Sequence, residues 1–188
     1  MELNEVLRTI FSRRSVRHFK AEQLRPEDID AIIEAGLSAP SANDKQNWHF
    51  AVIQNAAMLA AVNKWILDEI ELSGNADLQE MVKRGGGTIF RNAPTVIIVS
   101  TEASDRFGIV NGAAATENML IAAESLGIGS CWIGMVGILA GSTNFGSYSR
   151  DLQLPDGYAP HFGITLGYKE PGSLTAPPRK PNLVSRIV

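Results

Sequence analysis

The sequence predicts an α+β protein whose helices gather around one central sheet. Segments with apolar residues at helical spacing alternate along the chain with short runs rich in β-branched and aromatic residues. The run Pro94–Ser100 (PTVIIVS) is apolar on consecutive residues, which marks a strand covered on both faces. The stretch from about Ile109 to Leu126 is apolar over much of its circumference, which marks a helix buried on more than one side. No internal repeat, low-complexity tract or Gly/Ser/Pro-rich linker divides the chain, so residues 1–188 are read as one domain.

In chain order, Leu3, Val6, Leu7 and Ile10 share one face of a first helix that reaches about Phe11. Pro26 suits the first turn of a second helix, with Glu27 and Asp28 favoured by its N-terminal dipole. Ile29, Ile32, Ile33 and Leu37 form its face, and Pro40 marks a stop. Trp48–Ile53 reads as a strand, Ala56–Leu72 as a helix, and Asp77–Arg84 as a weaker helix ended by Gly85-Gly86-Gly87, a flexible connection. After the central strand and the apolar helix, two more strands are expected near Cys131–Val136 and His161–Leu166. The tail 171–188 carries Pro171, Pro177, Pro178 and Pro181, so it is expected to be extended and to lie along a partner chain.

Composition excludes several classes. Seventeen Lys+Arg against twenty Asp+Glu give a net charge of −3, unlike the basic surface of a general nucleic-acid binder. No apolar run approaches the roughly 20 residues that span a bilayer. The polar start Met1-Glu2-Leu3-Asn4-Glu5 lacks the pattern of a signal peptide. A lone cysteine, Cys131, fits a reducing compartment, so the expected location is the cytoplasm.

Most catalytic signatures fail. His18, His49, His161 and Cys131 show no metal-ligand spacing, and Cys131 in an apolar strand reads as structural. Gly127-Ile128-Gly129 follows a helix and precedes a strand, the reverse of the dinucleotide-binding order. Two polar segments remain. Arg13-Arg14-Ser15-Val16-Arg17 packs three guanidinium groups into five residues. By charge alone it reads either as a solvated turn complementing a helix C-terminus or as a set of phosphate-binding forks. Ser38 to Phe50 is a loop full of amides and hydroxyls running into a strand, which by itself reads as an ordinary helix-to-strand connection.

Together the two segments resemble the FMN-dependent nitroreductase family: Arg13-Arg14-Ser15-Val16-Arg17, then Ala39-Pro40-Ser41-Ala42 with Gln46, Trp48 and Phe50. Three further blocks match in order: Ala93–Val99, Asn118–Gly134, and Pro178-Arg179-Lys180-Pro181. The resemblance runs from about Phe11 to Pro181. It implies a domain-entwined homodimer with a mostly antiparallel central sheet and two FMN sites at the subunit interface. In that arrangement Arg13 and Arg14 lie near the FMN phosphate with Ser15, and Arg17 reaches the ribityl chain or the pyrimidine edge. Pro40, Ser41, Ala42, Asn43 and Gln46 close the ring system from the other subunit. Trp132, Ile133 and Gly134 lie along the isoalloxazine, and Arg179 completes the phosphate clamp. No side chain is assigned as catalytic, since the flavin carries the chemistry.

The implied activity is reduction of nitroaromatics, quinones or similar electron-poor acceptors at the expense of NADH or NADPH, by ping-pong hydride transfer through flavin N5. Two alternatives stay open: a specialised flavoenzyme of the same superfamily, and a non-enzymatic flavin-binding or redox-sensing protein. The sequence departs from the family pattern at Asp44, where Asn is more usual, and at Asn47, where Pro often follows Gln. Asp44 is expected to point away from the ring or to pair with Lys45 or an arginine. The stretch Val136–Asp151 is short and rich in Gly and Ser, so little substrate lid is expected from it.

Overall fold

A computed structural model describes residues 3–172 and 174–187. Helix α1 (Glu5–Ser12) starts where the Asn4 side chain accepts the Leu7 amide at 2.9 Å. Helix α2 (Pro26–Leu37) begins at the expected proline. Strand β1 (Trp48–Ile53) leads to α3 (Ala56–Leu72), whose Asn55 cap accepts the Met58 amide at 3.0 Å. Asn75 caps α4 (Ala76–Arg84) in the same way at 3.1 Å. Then follow β2 (Thr95–Glu102), α5 (Gly108–Ser125), β3 (Ile128–Ile133), a 3-10 segment (Gly134–Gly141), α6 (Phe145–Asp151) and β4 (Tyr158–Tyr168).

The four strands form one antiparallel sheet in the order β1-β2-β4-β3. Strand β2 is central, and its consecutive apolar residues alternate between two cores. Val96 and Ile98 face Val62, Ile66 and Ile70 of α3 together with Val136 and Leu139 of the 3-10 segment. Ile97 and Val99 face Ile29 and Ile32 of α2 and Met119, Leu120 and Ala123 of α5. At Gly36 a Cβ would stand 2.8 Å from Met119 Cγ, so the missing side chain lets α2 and α5 meet. A bulge between Val99 and Ser100 leaves His161 out of register between Phe162 and Pro160.

Two regions differ from the sequence reading. Strand β3 lies three residues earlier than expected, and β4 extends beyond 161–166 at both ends. Between 134 and 151 the chain also adds Val136, Leu139 and Tyr148 to the core, with Leu152 and Leu154 just beyond. A 3-10 segment has no 3.6-residue period, so its apolar residues carry no helical signature in the sequence. The described part of the tail, 171–172 and 174–187, forms no helix or strand and is exposed. Among the described residues no helix is long and apolar enough to cross a membrane.

Candidate functional site

The segment after α1 is fixed to the sheet by its backbone. The Arg13 amide closes α1 on the Thr9 carbonyl at 3.0 Å, and the chain then turns alongside β3. Ser15 bridges Ser130 in parallel, and the Val16 amide donates to the Ser130 carbonyl at 2.8 Å. The Val16 side chain is buried against Phe19 and Ala93. Arg14 folds back to donate to the carbonyls of Phe11 (2.8 Å) and Arg13 (2.6 Å), with its buried Nε unpartnered among the described residues. Arg13 Nε is 3.9 Å from Glu117 Oε1, a loose pair between a half-buried guanidinium and an exposed carboxylate. Arg17 touches the Ser15 carbonyl at 3.3 Å and opens onto a cavity.

That cavity, about 400 Å³, brings Arg17 to Trp132, Ile133 and Gly134, residues more than a hundred positions away in the chain. Its apolar wall includes Ile70, Leu78 and Met81. A Cβ on Gly134 would meet nothing within 4 Å, so the backbone there is open to close approach by a ring. Arg91 is a second cation on this wall, missed by the sequence reading. It also lines an adjoining cavity of about 660 Å³ with Arg17, His18, Arg84 and Glu170. Arg91 and Asn92 both take left-handed backbone (φ 55° and 56°) and turn the guanidinium onto Gly85, where any Cβ would collide with it. The buried Arg91 Nε has no partner among the described residues. Among the described residues no carboxylate lines the smaller cavity. Two guanidinium groups over an apolar wall fit a planar, anionic aromatic group, for which charge-assisted bonds are the strong ones.

The second predicted segment is held by side chains instead. Asn43, Asp44 and Gln46 all have left-handed backbone (φ 55°, 53° and 47°) around a 3-10 turn at Ala42–Asp44. Such residues cost about 1–3 kcal/mol each, Asn and Asp least, and persist only where the surroundings impose them. Ser41 Oγ accepts the Gln46 amide at 3.0 Å, and the Gln46 side-chain amide donates to Asp44 at 2.8 Å. The Ala42 amide donates to Asn111 Oδ1 (2.9 Å), Asn111 Nδ2 to Asn47 Oδ1 (2.9 Å), and Asn47 Nδ2 to Asp105 Oδ2 (2.7 Å). Lys45 Nζ lies 3.3 Å from the other oxygen of Asp105. Lys45 thus serves Asp105 rather than Asp44, which takes the Gln46 amide. The Phe107 amide, then Asn47 and Lys45, hold the Asp105 carboxyl below its ordinary value of 3.8, against the opposing effect of burial.

Pro40 and the residues through Gln46 line neither of the cavities that Arg17 opens onto. Within one chain the predicted site therefore stands as two separate parts. Arg179 is exposed in the extended tail and makes no ion pair among the described residues. Burial lowers the pKa of His49 and His161 below 6.5; the His161 ring meets Thr101 Oγ1 at 2.8 Å as a satisfied sheet residue.

Residues 10–168 match the model of the Nitroreductase family. The FMN-bound crystal structure of a nitroreductase from Bacteroides fragilis superposes with a TM-score of 0.90 at 34% identity, covering 98% of this chain and all of that one. A nitroreductase with bound FMN from Desulfitobacterium hafniense gives 0.89 at 27% identity, covering 99% of this chain and 100% of that one. The FMN reductase (NADPH) of Bacillus subtilis is 26% identical over 99% of this chain and 73% of its own length.

Proposed function

Because the chain belongs to the nitroreductase family, we propose that it is an FMN-dependent NAD(P)H oxidoreductase delivering electrons to nitroaromatics, quinones or similar electron-poor acceptors. The observation that carries this reading is the cavity uniting Arg17 and Arg91 with Trp132, Ile133 and Gly134. Arg13, Arg14, Ser15 and Arg179 serve the phosphate of the cofactor. Arg17, with Arg91 beside it, serves the polar edge of the ring, and the open backbone at Gly134 lets the ring approach. A cation at that edge favours the electron-rich form of the ring system. When bound, FMN supplies the hydride chemistry, so this chain's residues bind, orient and exclude water without a side-chain acid or base.

The reading includes a homodimer. Val6, Ile10 and Phe11 of α1 and Ile109 and Val110 of α5 are exposed, an apolar face that a second copy would cover. Pro40, Ser41, Ala42, Asn43 and Gln46 then close the ring system from the partner. The outer edge of β1 pairs with no strand among the described residues, and a groove of about 800 Å³ runs along it. Leu183, Val184 and Ile187 of the tail are exposed, and the partner's tail is the segment assigned to that groove. A chain truncated after Glu170 should run as a monomer in light scattering and lose FMN; a truncated dimer would remove the tail from the interface.

The activity is tested by an anaerobic absorbance titration of FMN-loaded protein with NADH and then NADPH. Bleaching of the flavin bands within seconds, restored by a quinone or nitroaromatic, is the expected result and ranks the two donors. A bound flavin that neither donor bleaches would overturn the reductase reading while leaving FMN binding intact.

A further inference from the structure

The loop 41–47 carries strain with no glycine to relieve it, and its restraint comes from residues far away in sequence. Its second amide, at Ala42, is held by Asn111 of α5, and its last residue, Asn47, by Asp105 just before α5. Asn47 and Asn111 are bonded to each other and are 6% and 3% exposed, so the chain Ala42–Asn111–Asn47–Asp105 is desolvated at its centre and half-buried at its two ends. The Asp105 side chain, 4% exposed, is satisfied at both oxygens: Asn47 at one, Lys45 and the Phe107 amide at the other. Both ends and the middle of the loop are thus tied to one carboxylate and its asparagine neighbours.

We propose that Asp105, acting through Asn47 and Asn111, is a positioning residue that holds the strained 42–46 backbone in the shape that closes over the cofactor. This rests on the reading of that loop as part of the FMN site. Asp105 touches no ligand in this scheme. A proline at 47 would stiffen the loop by itself but could not donate to Asp105, so Asn47 here replaces backbone stiffness with a side-chain tie. Without the tie, the left-handed residues relax and the loop reopens, which speeds ligand release more than it alters capture.

The test compares wild type, Asp105→Asn, Asn111→Ala and the double variant, with Lys45→Met as a milder break at the surface. Three measurements are made: amide hydrogen exchange across 41–47 in apo protein, melting of the apo protein, and the dissociation rate of FMN from its fluorescence recovery. The expected result for Asp105→Asn is faster exchange at Ala42 and Gln46 and about tenfold faster FMN release, the size of one charge-assisted bond. Apo melting should change little. Asn111→Ala should act alike, and the double variant should be no worse than the worse single one. Unchanged exchange would show that the tie does not hold the loop. Faster exchange with unchanged FMN release would show that the loop does not govern the cofactor. Either overturns the proposal, as does a collapse of apo melting in step with FMN release in Lys45→Met. If wild type takes up no FMN, the reading of the site fails separately, and the exchange arm alone decides whether Asp105 holds the loop.

Discussion

The segment 13–17 and the loop 41–47 are both polar and both assigned to one cofactor, yet they are held in opposite ways. The first hangs on β3 by backbone bridges at Ser15 and Val16, with only Val16 committed to the core. The second has strained backbone and is held by the side chains of Ser41, Lys45 and Asn47 and their partners Asp105 and Asn111. A segment fixed through its backbone leaves most of its side chains available for a ligand; here Arg14 turns back on the main chain. A segment fixed through its side chains spends them on its own shape. Substitutions in 13–17 should therefore act on binding before folding, and those in 41–47 on the local fold before binding.

The largest expected effect tests the first half of that contrast. Replacing both Arg13 and Arg179 by Ala should raise the FMN dissociation constant by about a hundredfold or more, since each charge-assisted bond contributes about 1.5–3 kcal/mol. Circular dichroism and melting of the apo protein should not change. Equal FMN affinity in a fluorescence titration would remove these two arginines from the phosphate clamp. A smaller effect is expected from Val16→Pro, which deletes the amide bound to Ser130. Leaving that carbonyl unpaired costs about 1–3 kcal/mol, or a melting decrease of about 3–10 °C for a chain of this size. Ser15→Ala should stay within about 0.5 kcal/mol of wild type. If Ser15→Ala destabilised more than Val16→Pro, the segment would be held by side chains after all.

Much of this was legible in the sequence where a cap or a proline marked a boundary. Pro26 placed the start of α2, Asn55 precedes the α3 that the sequence predicts at the same residues, and Trp48 opens β1. β3 was misplaced because Ile128-Gly129-Ser130 has the composition of a turn, while its strand character comes from pairing with Leu166, Gly167 and Tyr168. The cluster 13–17 and the run 132–134 were legible as motifs, and the structure brings Arg17 to that run. Arg91 was not legible: it joins the cavity only through a left-handed turn at 91–92 that packs it on Gly85. Nor was the tie between Asn47 and Asp105, 58 residues apart, because a pairwise contact at that separation leaves no local pattern.

The strain in the loop gives a smaller effect of opposite sign on folding and binding. Gln46→Gly removes a side chain from a left-handed position, where a residue other than Gly costs roughly 1–2 kcal/mol. Part of that gain is lost to the freer unfolded chain, about 0.4–1 kcal/mol. Melting temperature should hold or rise by up to about 3 °C, while FMN release quickens because the loop has lost its stiffness. A clear fall in melting temperature would mean that the bond from Gln46 to Asp44 outweighs the strain, and the contrast between the two segments would widen.

The smallest expected effect comes from pH, on the side of the molecule that supports the loop. Thr101 pairs with Trp48 at the end of the loop and lies beneath Gly108 at the start of α5, and its hydroxyl meets the His161 ring. Burial holds the His161 pKa below the ordinary 6.5, and His49 on β1 is shifted in the same direction for the same reason. The unfolded chain therefore binds protons more readily at these rings than the folded one. Their contribution to stability is complete above 6.5 and is lost as pH falls through the lowered folded values. Melting should fall by about 1–3 °C between pH 7.5 and 5.5, and His161→Gln, which keeps a partner for Thr101, should remove part of that dependence. Protection of the 41–47 amides, taken relative to their intrinsic exchange rate at each pH, should fall over the same pH range if the His161–Thr101 contact supports the loop. Protection flat across that range would confine the support of the loop to Asp105, Asn47 and Asn111.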